Sequence, residues 1–262
     1  MNPEAAREAA AILWNAWQAG EVLENLPESC RPRDAAAGFT VQTEVVRLSG
    51  QRVRGWKIAA TSAAGQNHLE VSGPLGGRLL ADRVLADRAT VSIARNRMRV
   101  AEPEFVFRLG RDLPPRGRPY SAGEVIEAAE ALLPGLEIPD SRYTVYPGIG
   151  EGPLLADNAC AHWFVLGTEA PDGWRDLDLA AHPATLLRDG SPAAHGLGAN
   201  VLGDPRAALT WLANDLHRFG EHLRAGEIVT TGTCAKPLPL EPDIEIEADF
   251  GVLGSVRARI VP

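Results

Sequence analysis

Arg99-Val100-Ala101-Glu102-Pro103-Glu104-Phe105-Val106-Phe107-Arg108-Leu109 is the stretch on which the fold turns. Val100, Glu102, Glu104, Val106 and Arg108 share one parity, so the run reads as a β-strand. Residues i and i+2 of a strand project from the same face, about 7 Å apart. Glu102 and Glu104 therefore point the same way. Two like charges on a buried face are costly unless a cation lies between them. A third acid, Glu137, stands in Leu136-Glu137-Ile138, a strand-like context where an apolar residue is expected. Three oxygen ligands suit Mg²⁺ or Mn²⁺ and leave positions open for a chelating substrate. On spacing alone, a solvated strand edge with Glu137 exposed elsewhere is the simpler reading.

Toward the N-terminus the texture is helical. Residues 3–19 are Ala-rich, with Ile12, Leu13, Trp14 and Trp17 at helical spacing. After Pro27 and Pro32, Asp34 is a candidate N-cap for a second helix reaching Leu48. Beyond Gly50 the chain turns to strands. Residues 53–58 predict a strand and 62–69 a short helix, with short β-like runs from Val84 onward. Ser121 caps a predicted helix over about 122–133, and residues 136–138 predict a short strand. Further strands are predicted over 159–167, 227–233, 243–250 and 256–260, with a helix over 205–219. The expected class is α+β, a single catalytic domain over 1–262 with a helical segment 1–50 and a β-rich core 51–262.

Composition sets limits on function. The net charge of -8 disfavours nucleic acid and anionic membrane surfaces as partners. Cys30, Cys160 and Cys234 are odd in number and share no CxxC spacing, which argues against a disulfide framework or structural zinc. No secretory leader and no membrane span is legible, so the expected location is the cytoplasm.

Other residues are weaker signals. Lys57 lies among apolar residues in Gly55-Trp56-Lys57-Ile58-Ala59, where a desolvated amine could act as a base or hold an anion. A lysine on the polar face of an edge strand fits the same pattern. Thr230-Thr231-Gly232-Thr233 could offer backbone N–H groups and hydroxyls to an anion, though a simple turn is the commoner reading. His162 and His195 have no partner at metal-ligand spacing, and Asp157-Asn158 reads as a turn. No dinucleotide, Walker or GxSxG motif is present.

Taken in order, these motifs have a family character. Gly55-Trp56-Lys57-Ile58 with Thr61, Ala101-Glu102-Pro103-Glu104-Phe105 and Leu136-Glu137-Ile138-Pro139-Asp140-Ser141-Arg142 come first. Ala156-Asp157-Asn158-Ala159, Leu202-Gly203-Asp204-Pro205, Gly226–Thr233 and Asp249–Val256 follow. The series resembles the 2-keto-4-pentenoate hydratase and 4-oxalocrotonate decarboxylase family of the fumarylacetoacetate hydrolase superfamily, over nearly the whole chain. The resemblance implies a mixed β-roll of the fumarylacetoacetate hydrolase C-terminal-domain type behind the helical segment, and a homo-oligomer. It also implies Glu102, Glu104 and Glu137 as ligands of Mg²⁺ or Mn²⁺ and Lys57 as the active-site lysine. Thr61, Arg78, Leu79 and Thr233 are the expected substrate-binding positions. One departure stands out: Gly73-Pro74-Leu75-Gly76-Gly77-Arg78-Leu79 has Leu75 where family hydratases tend to carry an acid, and Arg78 could pair with a second substrate carboxylate.

The implied activity is hydration of a 2-hydroxy-2,4-dienoate in aromatic catabolism, with the cation stabilising enolate charge on a small 2-oxo acid. The same arrangement suits a 2-oxo-3-enedioate decarboxylase or an acylpyruvate-type C–C hydrolase. A catalytically silent subunit in complex with a related pathway enzyme is the alternative of another class; the retained acids and Lys57 argue against it.

Overall fold

The computed structural model describes residues 1–262. Two helices open the chain, α1 (Pro3–Ala19) and α2 (Ala35–Ser49), capped by the Asn2 and Asp34 side chains and ended by left-handed Gly20 and Gly50. They pack together with Leu26, Cys30, Leu80 and Tyr143 in a small apolar cluster against the main body.

The body holds two curled sheets. The strands are β1 (Val53–Ala59), β2 (Leu75–Leu80), β3 (Val84–Ala86), β4 (Ala89–Ser92), β5 (Val100–Leu109), β6 (Ala129–Ile138), β7 (Trp163–Leu166), β8 (Pro183–Arg188), β9 (Ser191–Leu197), β10 (Ile228–Thr233), β11 (Leu238–Pro239), β12 (Glu245–Asp249) and β13 (Ser255–Val261). The larger sheet runs β2-β1-β10-β5-β6-β7-β3, with β11 also on β5, and the smaller runs β4-β13-β12-β8-β9. Side chains between the sheets, among them Phe105, Phe107, Leu136, Phe250 and Val256, form the main core. The remaining helices are α3 (Ala63–Leu69), α4 (Ala122–Ala128), α5 (Glu151–Ala156) and α6 (Pro205–Asp215). This mixed α+β roll behind N-terminal helices agrees with the expected class.

Several local expectations are corrected. The helix predicted over 122–133 stops at Ala128, although its Ser121–Glu124 capping box forms. From Ala129 the chain is β6, where Leu132 and Leu133 pair with Phe107 and Val106 of β5. Ala and Leu favour helix by themselves, but sheet pairing and full burial override that preference. The strand expected over 159–167 begins only at Trp163, because residues 158–160 form a left-handed turn. The helix expected over 205–219 tightens to a 3₁₀ turn after Asp215. Strand β2 is buried along its whole length, so it has no alternation to reveal it.

Candidate functional site

Strand pairing gathers the acids. Glu102 on β5 stands opposite Glu137 on β6, and Glu104 stands opposite Gly135 on one side and Thr233 of β10 on the other. One carboxylate oxygen from each of Glu102, Glu104 and Glu137 can be chosen so that all lie within 4.8 Å of one another. Glu104 and Glu137 are buried. The Gly232 N–H donates to Oε2 of Glu104 at 2.8 Å. Oε1 of Glu104 and Oε2 of Glu137 have no hydrogen-bond partner. Oε1 of Glu137 meets the Lys57 ammonium at 3.1 Å. Burial, and then the neighbouring Glu137 charge, raise the Glu104 carboxyl well above its usual range and push Glu102 up to about 7. Buried carboxylate oxygens without donors are costly. A hard divalent cation between the three carboxylates would satisfy both, and an all-oxygen donor set suits Mg²⁺ or Mn²⁺.

Lys57 on β1 faces the same cluster, 3 % exposed. Its Nζ donates to the Ala159 carbonyl at 2.9 Å. Burial works against its charge, but Glu137 and the neighbouring Cys160, Glu104 and Glu102 outweigh it and raise its pKa. Ala159 belongs to an unusual turn. Asn158, Ala159 and Cys160 have φ of 55°, 51° and 61°, three consecutive non-glycine residues in left-handed space. That conformation costs about 1–2 kcal/mol per residue, less for Asn. Gly77 on β2 pairs with Lys57, and a Cβ at Gly77 would collide with the Asn158 carbonyl oxygen. At Gly232, φ of 93° and the nearby Thr61 hydroxyl likewise exclude a side chain.

A cavity of about 260 Å³ opens beside the acids. Lys57, Thr61, Glu102, Glu137, Gly232 and Thr233 are among its lining residues. Leu69, Leu75, Met98, Val100 and Leu154 supply an apolar wall, with His68 and Tyr146 also at the cavity. The Thr233 hydroxyl donates to the Ala235 carbonyl at 2.7 Å, which leaves its lone pairs free to accept. No arginine lines this space.

Arg78 and Leu79 are placed elsewhere. Arg78 pairs with Trp56, one residue out of phase with Lys57, so its side chain leaves the opposite face of the sheet. There the guanidinium stacks over Phe39 and Trp56, 4.5 and 4.8 Å from the ring centroids, and donates to Gln42 Oε1 at 2.8 Å. Burial lowers its pKa to about 10. Leu79 packs with Val106, Leu133, Phe164 and Ile228. Leu75 does reach the cavity, as part of its apolar wall.

Asp157-Asn158, expected as a simple turn, is instead a buried, fully engaged pair. Asp157 is buried, accepts from the Ser141 hydroxyl at 2.8 Å and forms an ion pair with buried Arg142. The Asn158 amide bridges both backbone groups of Arg78, accepting from its N–H and donating to its carbonyl, each at 2.7 Å. Asn is a recognised left-handed residue, but nothing in Ala159 or Cys160 signals the turn. His162 is partly buried beside Trp17 and Trp163, away from the acids. His195 sits on the β8–β9 hairpin, its ring within 3.1 Å of the Thr185 hydroxyl.

No family model matches the chain. A 2-keto-4-pentenoate hydratase of Paraburkholderia xenovorans (strain LB400) is 34% identical over 262 residues, 99% of this chain and 96% of the relative. A 2-hydroxyhexa-2,4-dienoate hydratase of Comamonas testosteroni is 34% identical over 232 residues, 87% of this chain and 86% of the relative. Among solved structures, 4-oxalocrotonate decarboxylase from Pseudomonas putida G7, complexed with magnesium and adipate, superposes with a TM-score of 0.90 at 27% identity, covering 100% of this chain and 99% of that one. The more distant fumarylpyruvate hydrolase from Pseudomonas aeruginosa, in complex with Mn²⁺ and pyruvate, shares the fold at a TM-score of 0.55 and 16% identity over 80% of this chain and 91% of that one. With relatives matched over nearly their whole length at this identity and the acids gathered on one sheet, the chain belongs to the 2-keto-4-pentenoate hydratase family.

Proposed function

We propose that the protein is a divalent-metal-dependent hydratase of a small 2-hydroxy-2,4-dienoate in aromatic catabolism, adding one water to give the 4-hydroxy-2-oxo acid. The hydratase relatives support the reaction. The observation that carries the substrate choice is the cavity's lining: beside the acids and Lys57 it offers Leu69, Leu75, Met98, Val100 and Leu154 and no arginine. Such a lining suits an uncharged diene tail. A second carboxylate would lie against apolar side chains with no arginine to meet it, which is costly.

Glu102, Glu104 and Glu137 would hold the cation. When bound, it supplies Lewis acidity that draws electron density from the 2-oxygen of the substrate. Lys57 keeps a protonated Nζ beside Glu137 and can hold the substrate carboxylate or move a proton. Thr61 and Thr233 line the same cavity, where their hydroxyls would orient the substrate's polar head. Leu75 and Leu154 exclude bulk water from the tail. His68 and Tyr146 are further cavity groups with exchangeable protons. Arg78 lies on the far face of the sheet and contributes stability to β1 and β2.

A second reading, decarboxylation of a 2-oxo-3-enedioate, is favoured by Leu75 at the usual acid position and by the 4-oxalocrotonate decarboxylase superposition. An assay with Mg²⁺ or Mn²⁺ separates the two. Loss of 2-hydroxypenta-2,4-dienoate absorbance with formation of the hydroxy-oxo acid supports the hydratase. Turnover of 2-oxo-3-hexenedioate alone, with CO₂ release, replaces it with the decarboxylase. A homo-oligomer and a reducing, cytoplasmic setting belong to the same proposal; the three buried, unpaired cysteines suit the latter. No helix is long and apolar enough to cross a membrane. Light scattering of the purified protein measures the oligomer.

A further inference from the structure

The left-handed turn at 158–160 asks for a reason. Strained backbone of this kind persists only where the surroundings over-determine it, and it concentrates at functional sites. Here it is tied on both flanks. On one side the Asn158 amide clamps the Arg78 N–H and carbonyl, one residue along β2 from Gly77, the partner of Lys57. On the other side the Cys160 carbonyl accepts the Asp140 N–H at 3.0 Å, and Asp157 accepts the Ser141 hydroxyl, both just past Glu137. The turn therefore bridges the strand beside Lys57 and the segment after Glu137. Its middle carbonyl, Ala159 O, is the one that receives Lys57 Nζ.

Ordinary right-handed or extended geometry at Ala159 would re-aim that carbonyl. A flexible lysine stem has many rotamers, and its only fixed partners here are Glu137 Oε1 and Ala159 O. Glycine at 77 leaves the space into which the turn folds. Four features thus converge on one amine: the left-handed run, the Asn158 clamp, the bare Gly77 and the Asp140 tie.

We propose that Asn158 is a positioning residue for Lys57: its side-chain clamp on β2 holds the left-handed turn that presents the Ala159 carbonyl and fixes the amine beside the three carboxylates. The inference rests on the reading of this cavity as the active site. Asn158 makes no contact with the reacting atoms; it acts through the turn and Lys57. Removing the amide frees the turn to relax, and the amine then samples positions that do not face the substrate.

Lys57 and Lys236 are the only lysines in the sequence, and Lys236 is exposed. Competitive acetylation of the full-length protein by acetic anhydride, read by peptide mass spectrometry, therefore compares one buried amine with one free amine in a single sample. Asn158→Ala is expected to raise the Lys57:Lys236 labelling ratio by about fivefold or more through local opening, with cooperative thermal unfolding and Mn²⁺ binding retained. An unchanged ratio in the folded variant overturns the proposal. If Asn158→Ala does not fold, Asn158→Asp keeps the shape and the acceptor for the Arg78 N–H but loses the donor. Raised Lys57 labelling in that variant supports the proposal, and unchanged labelling overturns it.

Kinetics provide the second arm. Asn158→Ala is expected to lower kcat at least about tenfold with KM within about threefold, the split expected of a displaced proton-handling group. In a Lys57→Met background the same change should cost less than about twofold, because the residue through which it acts is gone. Equal penalties in both backgrounds assign Asn158 a merely structural role and overturn the proposal. The labelling arm needs no substrate. A wild-type protein inactive on dienoates would thus sink the proposed reaction, while labelling alone decides the positioning role.

Discussion

Each acid in the cluster can be tested through its own chemistry. Glu104→Gln retains shape and the Gly232 contact but offers the cation a neutral amide. Mn²⁺ affinity is expected to fall at least about tenfold by titration calorimetry, with most activity lost. Full activity at low metal would remove Glu104 from the ligand set. Lys57→Met should leave the metal bound and lower kcat by about 10²-fold or more, a general acid–base contribution. Unchanged turnover would show that the amine does no chemistry. His162 concerns stability instead. Burial, then the charges of Arg142 and Arg83, lower its pKa to about 3 from 6.5. A folded-state pKa below the unfolded value gives stability that is full above pH 6.5 and is lost as pH falls toward 3. His162→Gln should therefore remove about 2–3 kcal/mol of the acid destabilisation between pH 6.5 and 4.5, measured by urea unfolding at both pH values.

At the scale of elements, the site is made by strand neighbours and by what they leave room for. Strand β5 was legible because it alternates, and its two acids followed directly from period two. That Glu137 stands opposite Glu102 was not legible, because pairing of β5 with β6 depends on where α4 stops. A run of Ala, Glu and Leu after Ser121 satisfies a helix locally, and only pairing with Phe107 and Val106 makes it a strand. Strand β2 hid for a different reason: buried on both faces, it shows no polar phase. The consequence is measurable at Gly77. A methyl group there meets the Asn158 carbonyl and Ala159 Cβ. Gly77→Ala is expected to destabilise the fold by about 1–3 kcal/mol in urea unfolding and to lower turnover together with it. A neutral effect on both would mean that the turn and β2 separate easily.

For the whole molecule, the proposed ligand set has metal and proton competing for the same oxygens. Without a cation the Glu102 carboxyl is raised to about 7 from 4.5 by burial and Glu137. A raised folded-state pKa means that this contribution to stability is full below pH 4.5 and is lost as pH rises through 7. The cation binds the deprotonated form. The rise in Tm on adding Mg²⁺ or Mn²⁺ should therefore grow from pH 6 to pH 8, followed by calorimetry with and without chelator. A metal-induced shift independent of pH would count against a carboxylate site. Activity should disappear on exhaustive chelation and return with Mg²⁺ or Mn²⁺.

The sequence alone carried the α+β class, the helical opening segment, the acids on β5, Lys57 among apolar residues and, through ordered motifs, the family. These are properties of local period and residue order, which survive in one dimension. Tertiary structure decided the rest. It turned Arg78 away from the cavity, because a one-residue phase difference from Lys57 puts its side chain on the opposite face of the sheet. It made Leu75 part of an apolar wall, and it bent Asn158, Ala159 and Cys160 into a left-handed turn that the Asn158 amide ties to the distant strand β2. Facing and strain depend on which strands become neighbours, and that is settled by burial across the whole chain.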